Sequence, residues 1–340
     1  MRRRQRPLSP LLAAAPCALA LALAGCADAP AAQTAADDTS ARGSFPVTVD
    51  NCGVQVTVTS PPQRVVTLNQ GATEQALGLG LADRMAGTAY LDDEVAPRLA
   101  ADYERVTVLA DEYPSGESFL AAEPDLAVAS YPSAFGDKGV GARDELAAHG
   151  IPTYVDPLAC PDEEGGSGSE PAPTFDAIWG ALEELGTLTG AGDEAAVVAA
   201  EQRDRLAKVE SGAAGDGLKV LWYDSGEDTP FVGAGAGGPA LVLAAVGAIN
   251  VFAHLDGGWA DGSWETVLEA DPDVIVLADA SWSSATAKRA YLERDPVLRK
   301  LTAVRERRYV TVPFSETTPG IRLVDGAEHL AEQLAEIDDR

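Results

Sequence analysis

Glu117-Ser-Phe-Leu-Ala-Ala-Glu-Pro-Asp125 and Glu265-Thr-Val-Leu-Glu-Ala-Asp-Pro-Asp273 are one segment written twice. Both open on Glu, carry Leu fourth and Ala sixth, and close on Pro-Asp. Each runs straight into an apolar stretch, Leu126-Ala-Val-Ala and Val274-Ile-Val-Leu. Proline cannot continue a helix, so each segment reads as helix, corner, strand. A unit repeated in the same context predicts two lobes built alike.

Working outward, short apolar strands alternate with helical stretches. The first half offers strands at Arg64–Leu68, Met85–Ala89, Leu126–Ser130 and Thr153–Val155. Its helices fall at Glu74–Leu79, with Thr73 as cap, and at Glu117–Ala122 and Ala142–His149. The second half offers strands at Leu218–Tyr223, Asp273–Ala278 and Arg308–Val312, with helices at Pro239–Val246 and Ala327–Ile337. Strands joined by helices make an α/β layer structure. Phe45–Thr59 alternates around Asp50-Asn51-Cys52-Gly53 and reads as a hairpin. Two helical segments, Phe175–Thr189 and Asp193–Ser211, separate the halves. At 1.5 Å per residue the second reaches ~28 Å, enough to bridge two lobes.

The amino terminus carries a different signal. Met1-Arg2-Arg3-Arg4-Gln5-Arg6 precedes an Ala-rich apolar region, roughly Leu8 to Ala24, broken by Pro10 and Pro16. A basic start, an apolar middle and small residues at the end make a secretory leader. Leu23-Ala24-Gly25-Cys26 resembles the lipobox of bacterial lipoproteins, which implies cleavage before Cys26 and diacylation of its sulfur. Ala27–Ser44 has few large apolar residues and reads as a flexible tether. The expected organisation is a signal peptide at 1–25, lipidated Cys26 and tether at 26–44, a first lobe at 45–173, a bridging helical segment at 174–212 and a second lobe at 213–340.

The chain has 53 acidic and 25 basic residues and a net charge of −28. Four Arg and no acid lie in the leader, so its removal deepens the net charge to about −32. Such a surface repels nucleic acid and anionic bilayers. Of the four cysteines, Cys17 leaves with the leader and Cys26 takes lipid. Cys52 and Cys160 remain, and in an oxidising compartment an even remainder suggests a disulfide. Two buried free thiols are the alternative.

Lipobox, tether, paired α/β lobes and a bridging helix together resemble the substrate-binding lipoprotein of an ABC importer. The similarity is closest to the iron-siderophore and cobalamin class. It is carried by Pro62-Gln-Arg-Val-Val-Thr-Leu-Asn-Gln-Gly-Ala-Thr-Glu74, Ala76-Leu-Gly-Leu-Gly80, Glu123-Pro-Asp125, Gly150-Ile-Pro152, Trp264-Glu265 and Asp271-Pro-Asp-Val-Ile-Val276. The resemblance implies two Rossmann-like lobes joined by a single long α-helix, with the ligand in a cleft between them and little hinge closure. It implies a monomer that works outside the cytoplasm, held to the membrane by its lipid alone. Its partners would be a permease and ATPase complex and a ferric siderophore. Cobalamin, haem or another large cofactor is the alternative ligand on the same scaffold. Neither enzymatic activity nor a cofactor is expected.

In that family one acidic residue on each lobe docks with the permease, and Glu117 and Glu265 match those positions. Glu74 reads as a helix-start residue near the cleft. Ligands of open α/β sheets sit beyond the carboxyl ends of the strands. The loops there supply Asn69, Tyr90, Tyr113, Tyr131, Ser133 and Tyr223 as ligand-binding candidates, with Trp259 near the rim. Tyrosine combines apolar area with a polar tip and suits a bulky, partly polar guest. Arg322 matches a position where relatives carry a cleft arginine, and it is the candidate for binding anionic oxygens.

Enzyme signatures are weak. Gly233-Ala-Gly-Ala-Gly-Gly238 lacks the G-x-G-x-x-G spacing and reads as a turn into a helix. The sequence contains no G-x-S-x-G elbow and no zinc-hydrolase motif. His149, His254 and His329 are scattered without ligand spacing, so a bare metal ion is a poor candidate ligand. An exported hydrolase with a dispersed site is the distant alternative.

Overall fold

The computed structural model describes residues 44–160, 173–318 and 320–338. The predicted leader, Cys26, nearly all of the tether and most of the acidic loop that precedes Thr174 lie outside the described residues. The chain opens with the hairpin β1 (Val47–Asn51) and β2 (Val54–Val58). Then follow β3 (Val65–Leu68), α1 (Gln70–Gly78), β4 (Met85–Ala89), α2 (Ala100–Tyr103), β5 (Val108–Ala110), α3 (Gly116–Ala121), β6 (Leu126–Ala129), α4 (Arg143–Ala148) and β7 (Thr153–Val155). The helices α5 (Phe175–Thr189) and α6 (Gly192–Gly212) come next. The second half holds β8 (Lys219–Ser225), β9 (Phe231–Gly233), α7 (Gly238–Ala245), β10 (Ile249–Asn250), β11 (Trp259–Asp261), α8 (Trp264–Ala270) and β12 (Val274–Asp279). It ends with α9 (Ala285–Arg294), α10 (Thr302–Arg305), β13 (Tyr309–Pro313) and α11 (Leu323–Asp338).

The first sheet is wholly parallel, in the order β5-β4-β3-β6-β7. Val65 and Leu126 face one buried cluster while Val66 and Ala127 face another. Burial on both faces explains why these strands read as continuous apolar runs. The second sheet runs β11-β9-β8-β12-β13, with β10 also on β8. Here β8, β12 and β13 are parallel, and β9 and β11 add an antiparallel edge. Val220, Trp222, Val274 and Val276 face one core; Leu221, Tyr223, Ile275 and Leu277 face the other.

The two sequence repeats fold alike down to their hydrogen bonds. Ser115 caps α3 and Ser263 caps α8, each accepting from a backbone N–H of the first turn. Phe119 and Val267 bury fully at the same register. Both helices end on a left-handed residue before the proline, Glu123 (φ 46°) and Asp271 (φ 42°). The closing carboxylates then grip the start of the neighbouring strand. Asp125 accepts from Gln63 N at 2.7 Å and Arg64 N at 2.8 Å; Asp273 accepts from Lys219 N at 2.8 Å. In return, Arg64 donates to Ala122 O and Lys219 to Ala270 O, placing a cation on the negative end of each helix.

The connection between lobes is a helix pair. The 21 residues of α6 extend about 31 Å, with Ala195 in the first lobe's core and Ala199, Leu206 and Val209 in the second's. Antiparallel to it, α5 also touches both cores, through Leu182, Leu185 and Leu188 in the first and Ile178 and Trp179 in the second. Trp179 Nε1 donates to Gln202 Oε1 at 2.9 Å, and Gln202 Nε2 donates to Ile321 O at 2.7 Å. Ile321 belongs by sequence to the second half yet packs in the first lobe's core. A β-carbon on Gly78 would stand 2.9 Å from its Cδ1, so any larger residue there would require the Ile321 side chain to shift.

Beside Ile321 lies a buried ion cluster that joins the lobes. Arg322 pairs with Glu74 of α1 at 3.2 Å, with Glu316 at 2.5 Å and with Asp325 at 3.5 Å, and it donates to Glu94 O at 3.2 Å. Asp325 also receives Arg98 of the first lobe at 2.6 Å and Arg205 of α6 at 2.5 Å. Burial pulls Arg322 down, but the carboxylates around it outweigh that and raise its pKa. Burial lifts Glu74 despite the attraction of Arg322. Two expectations are corrected here. Glu74 is not a helix-start residue, because α1 begins four residues earlier, at Gln70. Thr73 is not its cap: its hydroxyl donates to Asn69 O and meets the Thr67 and Thr88 hydroxyls in a buried triad.

Arg322→Met strands two carboxylates that are 0 and 1 % exposed, so it should cost roughly 3–5 kcal/mol in urea unfolding. Adding Glu74→Gln and Glu316→Gln should restore most of that loss. A single substitution without effect would remove the cluster from any role in joining the lobes.

Candidate functional site

A cavity of about 390 Å³ opens between the lobes, within the usual range for small-molecule sites, roughly 300–1,000 Å³. Tyr131 closes it from the first lobe, at the carboxyl end of β6. From the second lobe come Phe231 on β9, Trp259 on β11, Trp282 after β12 and Phe314 after β13. Phe314 meets the Trp282 ring edge-on at 4.8 Å and the Trp259 ring at 6.2 Å. Trp282 is 55 % exposed and Phe231 37 %, an aromatic surface left open to a guest. The polar lining is Asp224 and Ser225, at the end of β8. The Trp259 indole N–H is buried without an acceptor.

The first lobe extends this wall. Tyr113 donates to Asn69 Oδ1 at 3.1 Å and lies 3.1 Å from Ser133 Oγ, and its ring stacks on Tyr90 at 4.7 Å. Asn69 (φ 77°) and Tyr90 (φ 60°) are both left-handed. For tyrosine this costs about 1–2 kcal/mol, and both sit just past the ends of β3 and β4, where the chain turns into the cleft. Burial raises the Tyr131 phenol most, with Asp92 next among the causes. Burial also raises Tyr90, and Asp92 again follows. Asp92 itself is pushed up to about 6, by burial first and Asp93 second. Asp93 in turn accepts from the Ser315 hydroxyl at 3.0 Å, across the lobes.

The structure thus draws Asn69, Tyr90, Tyr113 and Ser133 into one cluster on the first lobe, with Tyr131 and Trp259 on the cavity wall. Two candidates lie elsewhere. Tyr223 is 1 % exposed, donates to Gly226 O at 2.8 Å and packs edge-on against Trp264. Its ring faces the core because alternate residues of β8 point to opposite faces. Arg322 does not line the cavity, because its guanidinium is spent on Glu74, Glu316 and Asp325. Sequence reading missed Phe231 on the wall and Asp92 beside it; Trp282 and Phe314, in loops after strand ends, carried an aromatic signal but were not among the candidates. Phe231 lies on β9, a three-residue strand too short to signal itself.

Glu117 and Glu265 are exposed in the first turns of α3 and α8, at equivalent positions. Three residues on, Leu120 and Leu268 are also exposed, at 40 and 37 %. Cys52 and Cys160 form a disulfide that ties the amino-terminal hairpin to the end of the first lobe. No group of three or more His, Cys, Asp or Glu side chains is placed to hold a metal ion among the described residues. No described helix is long and apolar enough to cross a membrane.

Two α/β lobes around an open aromatic cleft define a substrate-binding protein. The chain belongs to the periplasmic binding protein family, whose model matches residues 65–316, and so to the substrate-binding proteins of ABC importers. It is 27 % identical over 304 residues to the ABC transporter substrate-binding lipoprotein YvrC of Bacillus subtilis, covering 85 % of this chain and 86 % of that one. It is 28 % identical over 315 residues to the cobalamin-binding protein of Halobacterium salinarum, covering 86 and 75 %. The crystal structure of an ABC-type Fe3+-hydroxamate transport system protein from Saccharomonospora viridis superposes with a TM-score of 0.70 at 28 % identity. That match covers 85 % of this chain and 99 % of the other.

The raised Asp92 carboxyl makes a pH prediction. Its folded pKa of about 6 lies above its ordinary 3.8, so the stability it contributes is complete below the unfolded value and is lost as pH rises through 6. Asp92→Asn should therefore stabilise the protein at pH 7.5 by about 1 kcal/mol, a figure discounted for partial solvent exposure. At pH 3.5 the gain should vanish. Equal urea midpoints for mutant and parent at pH 7.5 would contradict this.

Proposed function

We propose that this protein is an extracytoplasmic lipoprotein that captures a ferric siderophore and delivers it to an ABC permease. The observation that carries the reading is the cavity: five aromatic side chains around a few polar groups, shared by both lobes. Iron wrapped in an organic chelator needs area and hydrogen bonds rather than protein ligands, and this lining offers those. None of the three histidines lines the cavity, and a haem bound here would have to take its axial oxygen from Tyr131. The similarity to the Fe3+-hydroxamate protein points the same way, and that to the cobalamin-binding protein keeps cobalamin as the second reading.

In this reading Cys26 carries the lipid, residues 26–44 are the tether, and Asn69, Tyr90, Tyr113, Tyr131, Ser133 and Trp259 contact the ligand. Glu117 and Glu265 dock into basic sockets on the two permease subunits. Their pseudo-equivalence supports this, since a chain with one matched acid per lobe suits a partner with two matched sockets. Exposed carboxylates of this kind steer encounter and fix register, and Leu120 and Leu268 give each contact an apolar neighbour.

Titrating the protein by tryptophan fluorescence with a ferric trihydroxamate, cobalamin and haem tests the ligand. Trp259 and Trp282 both line the cavity, so saturable quenching by the ferric chelate alone is expected. Saturation only by cobalamin would replace the siderophore reading. Glu265→Ala should leave the dissociation constant unchanged and cut uptake about tenfold or more. Weakened binding in the purified variant would remove Glu265 from docking.

A further inference from the structure

The cavity has a charge preference that follows from its walls. Among the described residues no Lys or Arg lines it, while Asp224 does. The cation expected there, Arg322, is neutralised in the ion cluster away from the cavity. The nearest ammonium is Lys288, which is 4 % exposed and donates to Ala278 O and to Ser283 O at 2.8 Å. Asp224 and Asp279 both attract it through space, and with all three groups ionised the trio sums to one negative charge. Across the cleft Asp92 adds another beside Tyr131. The remaining surface is five aromatic side chains, and any ring that turns its face to the guest attracts cations and not anions. The unpaired indole N–H of Trp259 offers one donor for a ligand oxygen.

Resting on the siderophore reading, we infer that the cleft selects ferric chelates of neutral or positive charge and rejects polyanionic ones, with Asp224 and the aromatic wall as the discriminating groups. A trihydroxamate releases three protons to bind Fe3+ and leaves a neutral centre, so a pendant ammonium makes the whole complex a cation. A tris-catecholate complex is a trianion and meets only repulsion here. One carboxylate on the wall, Asp224, and a second close behind Tyr131, Asp92, acting on a charge bound in a partly desolvated cleft are enough for about a tenfold preference.

The test compares matched ligands in the full chain purified in mild detergent, read by tryptophan quenching. The probes are ferrioxamine B, which carries a terminal ammonium, its N-acetyl derivative, which differs only in lacking that charge, and a ferric tris-catecholate. The expected order is ferrioxamine B tightest, the acetylated form about tenfold weaker, and the catecholate without saturable binding. Asp224→Asn should shrink the difference between the first two, and the ligand comparison stands without any variant. Equal affinity for the matched pair, or tighter binding of the trianion, would overturn the charge selection while leaving the siderophore reading intact. Binding of none of the three ferric chelates, with cobalamin or haem bound instead, would overturn the siderophore reading and the inference with it.

Discussion

Everything else in this molecule depends on how Arg322 is buried. A guanidinium and two nearly inaccessible carboxylates, Glu74 and Glu316, meet where the lobes join. Taking such charges out of water is costly, and their mutual attraction compensates only when geometry and hydrogen bonds are good. The site meets that demand in part, with Gln70 Nε2, Ala96 N and Glu94 O as further partners, while Glu74 Oε2 and Arg322 Nε are buried without a hydrogen bond. A misplacement of either lobe would leave a bare charge in a dry place. The cluster therefore acts as a registry device: it adds little net stability but penalises other arrangements of the halves. The helix pair α5 and α6 and the insertion of Ile321 into the first lobe's core act in the same direction.

The same construction recurs within each lobe. A left-handed residue, a proline and an aspartate end the repeated helix, and the aspartate fixes the backbone entering the central strand. That corner sets where the helix begins relative to the sheet, and so where Glu117 and Glu265 stand. Local chemistry that looks like a turn signal thus determines the position of two surface charges in opposite halves of the chain.

This explains what could be read in advance. The α/β class, the paired lobes, the hairpin and the central parallel strands were legible because they are long apolar runs or repeated motifs. Strands β4 and β7 fall where the residues suggested. The antiparallel strands β9 and β11 escaped notice, since Phe231-Val-Gly and Trp259-Ala-Asp lack the unbroken β-branched and aromatic run of β7. The site was half legible. Strand-end loops announced Tyr113, Tyr131 and Asn69, but not which residues on a strand point inward. Tyr223 was misassigned by one step of alternation, since it is the next residue, Asp224, that reaches the cavity. Arg322 was misread for a deeper reason: nothing local to position 322 reveals that its partner Glu74 lies 248 residues away.

The fastening of the lobes has a thermodynamic consequence for transport. A receptor that must close around its cargo spends part of its binding free energy on that motion, and its apparent affinity falls by the fraction of molecules already competent. Here Arg322, the helix pair and Ile321 hold both walls of the cleft together without cargo, an arrangement that keeps that loss small. The counterpart falls on the membrane machinery. If the lobes stay in this arrangement when cargo binds, an empty and a filled molecule present almost the same outline, and shape alone distinguishes them poorly. Whatever recognises the filled form has to sense the cargo itself at the open mouth of the cleft.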